Sequence, residues 1–158
     1  MSIAIKNSWD KFYCELAQHI STWSKDPSTQ VGAITVGKKG QILSQGYNGF
    51  PRGIEDTNAR LYTREEKYKY VVHAEMNCIY NACLNGVSLN ESTLYVYGLP
   101  VCSECAKGVI QVGVQRVVIY TPDVHKEDML DKWKESGNLA EEMFNETKVE
   151  FCWYDNFV

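Results

Sequence analysis

The chain has 158 residues, 44% of them apolar and 23% charged, which suits one covered core and leaves too little for two ordinary domains. Its net charge is −4, with 16 basic residues scattered rather than gathered into a run, which disfavours a nucleic acid polymer as partner. No apolar run approaches the roughly 20 residues of a membrane helix. Met1 to Asn7 lacks the basic start and apolar stretch of a secretory signal. The expectation is a single domain over residues 1–158 in the cytoplasm, with no membrane partner. In that compartment Cys14, Cys78, Cys83, Cys102, Cys105 and Cys152 read as free thiols and metal ligands, not disulfides.

In chain order, Asn7 or Ser8 caps a first helix on which Trp9, Phe12, Tyr13, Leu16, Ile20 and Trp23 recur at helical spacing as the inward face. Asp26-Pro27 ends it. Residues 31–36 read as a buried strand, and the turn at 37–40 leads into a second strand over 41–46. From 47 to 69 Gly49, Pro51, Gly53 and a run of charges break every period, so the segment is expected to be irregular and functional. Residues 72–85 resume a helix, with Gly86 as its C-terminal cap. A strand at 93–97, a short helix at 103–112 closed by Gly113, and a strand at 114–120 follow. The tail holds a helix over 126–146, broken at Gly137, and a last strand at 149–153. A hairpin followed by alternating helix and strand implies an α/β fold, a mixed five-stranded sheet between two helical layers. Ligands of such sheets bind at the edge where helices begin.

Two of the helices open on metal-binding chemistry. His73-Ala74-Glu75 begins one and Pro100-Val101-Cys102-Ser103-Glu104-Cys105 begins the next. An imidazole and two thiolates fill three corners of a zinc tetrahedron, and the fourth is left for water in a catalytic site. Helix starts favour the thiolate form. Glu75, two residues past the histidine, is placed to move protons between water, the ring N3 of a cytosine and its leaving amine. His-x-Glu followed by Pro-Cys-x-x-Cys is the signature of zinc deaminases, and Val101 is one residue more than that pattern has. The competing reading is a structural zinc, which needs a fourth protein ligand, and no further Cys or His lies close in sequence. Cys78 and Cys83 read as core filler, as do Cys14, His19, His125 and Cys152, unless a second zinc recruits some of them.

The segments Lys25-Asp26-Pro27-Ser28-Thr29-Gln30-Val31-Gly32-Ala33, Gly46-Tyr47-Asn48-Gly49-Phe50-Pro51-Arg52-Gly53, His73-Ala74-Glu75 and Cys102-Ser103-Glu104-Cys105-Ala106-Lys107 together resemble the deoxycytidylate deaminase family. The resemblance implies a cytidine deaminase-like fold, one zinc ion per chain and hydrolysis of dCMP to dUMP and ammonia, which supplies dUMP for thymidylate synthesis. It implies a homo-oligomer, often a hexamer, with dCTP as activator and dTTP as inhibitor. Asn48 matches the asparagine that contacts the sugar, and the backbone around Ala74 is expected to read the base. A plain turn asparagine in a left-handed conformation is the other reading of Asn48. Arg52 and Lys25 are the basic side chains nearest these segments and are candidates for the phosphate, against the ordinary fate of a solvated surface charge. Lys25, Gly46, Tyr47 and Gly49 are the candidate regulatory residues, the glycines letting a triphosphate approach the backbone. The rival readings are a zinc deaminase of another free nucleoside, a riboflavin precursor or a tRNA adenosine, and a non-catalytic zinc-stabilised module.

Overall fold

The computed structural model describes residues 2–3, 8–121 and 123–154, with side chains over 9–121 and 134–154. In chain order its elements are β1 (Ser2–Ile3), α1 (Ser8–Ser21), β2 (Gly32–Val36), β3 (Ile42–Tyr47), α2 (Asn58–Tyr62), α3 (Arg64–Tyr70), α4 (Ala74–Asn85), β4 (Thr93–Tyr97), α5 (Ser103–Gln111), β5 (Arg116–Tyr120), α6 (Asp123–Glu146) and β6 (Glu150–Trp153). The five expected strands are present, and the two-residue β1 adds a sixth at the edge, giving the order β1-β6-β5-β4-β2-β3. β2 runs antiparallel to β3 and β4, whereas β4, β5, β6 and β1 are mutually parallel.

Alternation along the central strands builds the three layers. Ala33, Leu94, Val96, Val117 and Ile119 face α4, α5 and α6, and the neighbouring Ile34, Tyr95 and Val118 face α1. Because β3 and β4 both pair antiparallel with β2, they run in the same direction and end level, Tyr47 and Tyr97 each opposite Gly32. The chain leaving β3 and the chain leaving β4 therefore emerge at one edge of the sheet.

Several expectations are corrected. On α1 the inward residues are Asp10, Cys14, Ala17, Ile20 and Ser21, whereas Trp9, Phe12 and Trp23 lie 61%, 56% and 51% exposed. The helix lies so close to β2 that a Cβ on Gly32 would overlap the carbonyl oxygen of Ala17. Only small residues fit that seam, so the aromatic stripe turns outward. Asp10 is buried there because Arg116 grips both its oxygens at 2.9 and 2.8 Å and Tyr95 donates to it at 2.6 Å. α1 stops at Ser21, before the proline, as the N–H groups of Thr22, Trp23 and Ser24 close onto the carbonyls three residues back, each at 3.1 Å.

The segment 47–69 is irregular only in its first half, and α2 and α3 fill most of the second. Gly49 and Val72 form a two-way backbone bridge at its ends. Between them Thr57 caps α2 by accepting from the Arg60 N–H, and α3 carries Glu65 and Glu66 in its first turn and Lys67 and Lys69 in its last, matching the helix dipole. α6 runs unbroken through Gly137, which has open space around it. Cys78 is buried but Cys83 is exposed, lying about 140° further round α4. His19 is likewise exposed, edge-on to Trp23. Cys14 and Cys152 are buried as expected, and the side chain of His125 lies outside the described residues.

Gly46 and Gly137 test this packing from opposite sides. A Cβ on Gly46 would overlap the Cys78 amide nitrogen and sit 2.6 Å from the Ala74 carbonyl oxygen, so Gly46→Ala is expected to cost about 3 kcal/mol in urea unfolding. Gly137→Ala, in helix and against nothing, is expected to stabilise the protein by about 0.5–1 kcal/mol in the same measurement.

Candidate active site

Two helix starts meet at the edge where β3 and β4 end. His73 is the residue before α4 and Cys102 the residue before α5, both in extended backbone conformation. Cys102 Sγ accepts from the Cys105 N–H at 3.4 Å, which holds the two sulfurs on the same turn. Across the gap His73 Nδ1 lies 3.5 Å from Cys102 Sγ and 3.4 Å from Cys105 Sγ. A tetrahedral zinc with ordinary Zn–S and Zn–N bonds would separate nitrogen from sulfur by about 3.6 Å. The donor set and these two separations therefore suit such an ion. Among the described residues no other group of three or more such side chains is drawn together closely enough to hold a metal ion. The extra residue Val101 is 2% exposed and fills the core below the cluster.

Glu75 sits in the first turn of α4, 3% exposed. Burial pushes its carboxyl up to about 7, against the opposing pull of backbone N–H and of His73. The Cys102 thiol is drawn down to about 4, first by the hydrogen bond from Cys105 and next by that of His73. Cys105 moves upward because it donates to Cys102 and is buried. His73 is raised, chiefly by its hydrogen bond to Cys102.

His73, Ala74, Glu75 and Cys102 open onto a cavity of about 530 Å³. Its other walls are the loop Asp26 to Thr29, Asn48 beyond β3, and Leu61, Tyr62, Arg64, Lys67 and Tyr68 from α2 and α3. Asn48 is 7% exposed, and its amide closes the loop: Oδ1 accepts from Val31 N–H at 2.8 Å, while Nδ2 donates to the Thr29 carbonyl at 2.9 Å and to Asp26 at 3.4 Å. It is not a left-handed turn asparagine, since Glu91 and Lys148 are the only non-glycine residues of positive φ among those described. Asp26 accepts from the N–H groups of Ser28 and Thr29 and from Lys67 Nζ at 3.1 Å. Lys67 is 7% exposed, so one buried ion pair ties α3 to the loop and to Asn48.

The remaining candidates lie off the cavity wall. Arg52 donates to Asn81 on α4, and Lys25 pairs at the surface with Asp56 at 2.8 Å. Gly46 has its missing side chain occupied by the α4 backbone, Tyr47 stands edge-on to Trp23, and Gly49 is held in the bridge to Val72. Arg64, Lys67 and Tyr68 had no periodic signal, sitting in the stretch 47–69 that reads as irregular and functional without singling out any of them. Asp26 did have one, the Asp-Pro-Ser-Thr order of a side-chain-capped turn.

Residues 7–121 match the family model of the cytidine and deoxycytidylate deaminase zinc-binding region. The chain belongs to this family. A relative named "Uncharacterized deaminase in luxG 3'region" from Aliivibrio fischeri is 38% identical over 147 residues, spanning 93% of this chain and 94% of that one. The deoxycytidylate deaminase of Homo sapiens is 34% identical over 148 residues, 90% of this chain and 78% of the relative. The crystal structure of dCMP deaminase from the cyanophage S-TIM5 in complex with dCMP and dUMP superposes with a TM-score of 0.75 at 25% identity, over 95% of this chain and 99% of that one. The family's fold is therefore the fold expected, a mixed sheet between helical layers.

The Asp26–Lys67 pair gives this arrangement a stability signature. Lys67→Met strands a buried carboxylate and is expected to lower the unfolding free energy by about 3–5 kcal/mol. Adding Asp26→Asn is expected to return part of that loss, so that a double-mutant cycle in urea gives a coupling above about 1 kcal/mol.

Proposed function

We propose that this chain is a zinc-dependent deoxycytidylate deaminase, hydrolysing dCMP to dUMP and ammonia and thereby supplying dUMP for thymidylate synthesis. The observation that carries the reading is the meeting of His73 Nδ1 with the Cys102 and Cys105 sulfurs beside a buried Glu75 on the wall of a nucleotide-sized cavity. His73, Cys102 and Cys105 hold the ion. Zinc bound there supplies a nucleophile at neutral pH and Lewis-acid stabilisation of developing charge. Three protein ligands leave it a position for substrate chemistry, as catalytic sites do.

Glu75 moves the protons. Burial raises the proton affinity of its carboxyl, which suits it to carry two protons in turn, one from water to ring N3 and a second from the hydroxyl added at C4 to the departing amine. The shut position of its carboxyl, 3% exposed, keeps those protons from bulk water. Asn48 and the backbone at Ala74 line the same cavity and are assigned to the sugar and the base. Asn48 Oδ1 retains a second lone pair beyond its bond to Val31, and that lone pair can accept from a sugar hydroxyl.

The chain works in the cytoplasm as a homo-oligomer, probed most directly as a hexamer. Free thiols at all six cysteines fit a reducing compartment. The exposed Trp9, Phe12 and Trp23 offer an aromatic surface of the kind that copies bury against one another. No helix among the described residues is long and apolar enough to cross a membrane. A response to dCTP as activator and dTTP as inhibitor is assigned to the outer end of the hairpin, where Lys25 and Tyr47 are exposed.

An ammonia-release screen of dCMP, dCTP, CMP, deoxycytidine and cytosine tests the assignment, with dCMP expected to give the highest kcat/KM. Glu75→Gln is expected to lower kcat on dCMP by about 10³-fold while elemental analysis still finds one zinc per chain. A zinc-loaded parent that binds nucleotide but shows no turnover, with Glu75→Gln keeping that affinity, would identify a metal-stabilised binding module instead. For regulation, the dCMP saturation curve is expected to be sigmoidal and to become hyperbolic with dCTP; superimposable curves would remove the effector site.

A further inference from the structure

A nucleotide substrate presents the cavity with a base at one end and a phosphate dianion at the other. Its reacting carbon must lie against His73, Cys102 and Glu75, so the phosphate extends toward the walls built by the Asp26 loop and by α2 and α3. That charge needs a cationic partner to leave water. Apart from His73, whose Nδ1 faces the two sulfurs, the cationic side chains on the cavity wall are Arg64 and Lys67, both from α3.

These two are not equivalent. Lys67 is buried and committed to Asp26 at 3.1 Å, and the two charges cancel. Arg64 has no carboxylate within ion-pair distance among the described residues; its guanidinium lies over the Tyr68 ring, 5.2 Å from the centroid. Stacking on that ring leaves the guanidinium edge, with its forked N–H groups, available to oxygen acceptors. The two basic side chains expected from sequence are spent elsewhere, Arg52 on Asn81 and Lys25 on Asp56, and neither lines the cavity.

We propose that Arg64 is the residue that binds the 5′-phosphate and selects a nucleotide over a nucleoside, held in place by its stack on Tyr68 and by the Lys67–Asp26 pair that pins α3 to the cavity. The assignment rests on the deaminase reading of the site. It gives the α2–α3 segment a task separate from the chemistry: α4 and α5 supply the reacting groups, and α3 supplies selection for a phosphorylated substrate.

The test is kinetic, on the zinc-loaded enzyme with dCMP and deoxycytidine as paired substrates. Arg64→Gln is expected to lower kcat/KM for dCMP by about 10- to 100-fold, through KM with kcat retained, and to change kcat/KM for deoxycytidine by less than about twofold. Arg64→Lys is expected to fall between, as a point charge without the fork. Arg64 is exposed, so thermal unfolding of both variants should match the parent. An equal loss on both substrates, or an undiminished preference for dCMP in Arg64→Gln, would overturn the assignment while leaving the deaminase reading intact. A parent enzyme that turns over deoxycytidine as well as dCMP would instead overturn the nucleotide reading of the site, and the proposal with it.

Discussion

The architecture turns on one separation: the first turns of α4 and α5 must stand so that a ring nitrogen on one lies about a zinc-ligand edge from two sulfurs on the other. His73 and Cys102 are both capping positions, so their side chains are aimed by where each helix begins and by little else. That places the burden on helix position. α4 is set down on β3 at Gly46, where its backbone touches a strand that has no side chain in the way. α5 follows β4, whose end is level with the end of β3 because both are registered against Gly32 of β2. A shift of one residue in either register would carry a ligand several ångströms from its partners.

Around this cluster the protein treats two carboxyl groups in opposite ways. Glu75 is buried without a full charge partner, and its affinity for protons rises into the neutral range. Asp26, its side chain 10% exposed, instead has Lys67 and two backbone N–H groups on it. One is thereby suited to exchange protons and the other to hold a loop. The same principle operates beneath the opposite layer, where Arg116 and Tyr95 let Asp10 sit in the core under α1. Each is costly to bury alone, and each is tolerable where its partners come from a different element.

What was readable in the sequence follows from how local each signal is. The candidate ligands, Glu75 and the central strands are carried by short motifs and by apolar runs of five or six residues between turns, and the structure brings His73, Cys102 and Cys105 together and places the strands where those runs put them. The inward face of α1 was misread because the apolar spacing of Trp9, Phe12 and Trp23 is helical but says nothing of the seam at Gly32, where the backbone of Ala17 and Ser21 lies against the strand. α2 and α3 were missed because helices of five and seven residues are too short to display a period, and their charges mask a buried lysine. Lys67 is inward only because Asp26, 41 residues earlier, is there to meet it. No reading of either neighbourhood alone contains that fact.

This separation between local and distant signals matches a division of labour in the site. The candidate metal ligands and Glu75 stand at the starts of α4 and α5, which are set by strand register at the sheet edge. The wall that meets the rest of a substrate comes from α2 and α3, which are attached through the bridge of Gly49 to Val72, the Asp26–Lys67 pair and the loop closed by Asn48. Such a segment can change its outward residues, Arg64 and Tyr68 among them, without moving His73, Glu75, Cys102 or Cys105. The cavity wall can therefore vary around a constant His-Cys-Cys cluster, because the two depend on different contacts within the same fold.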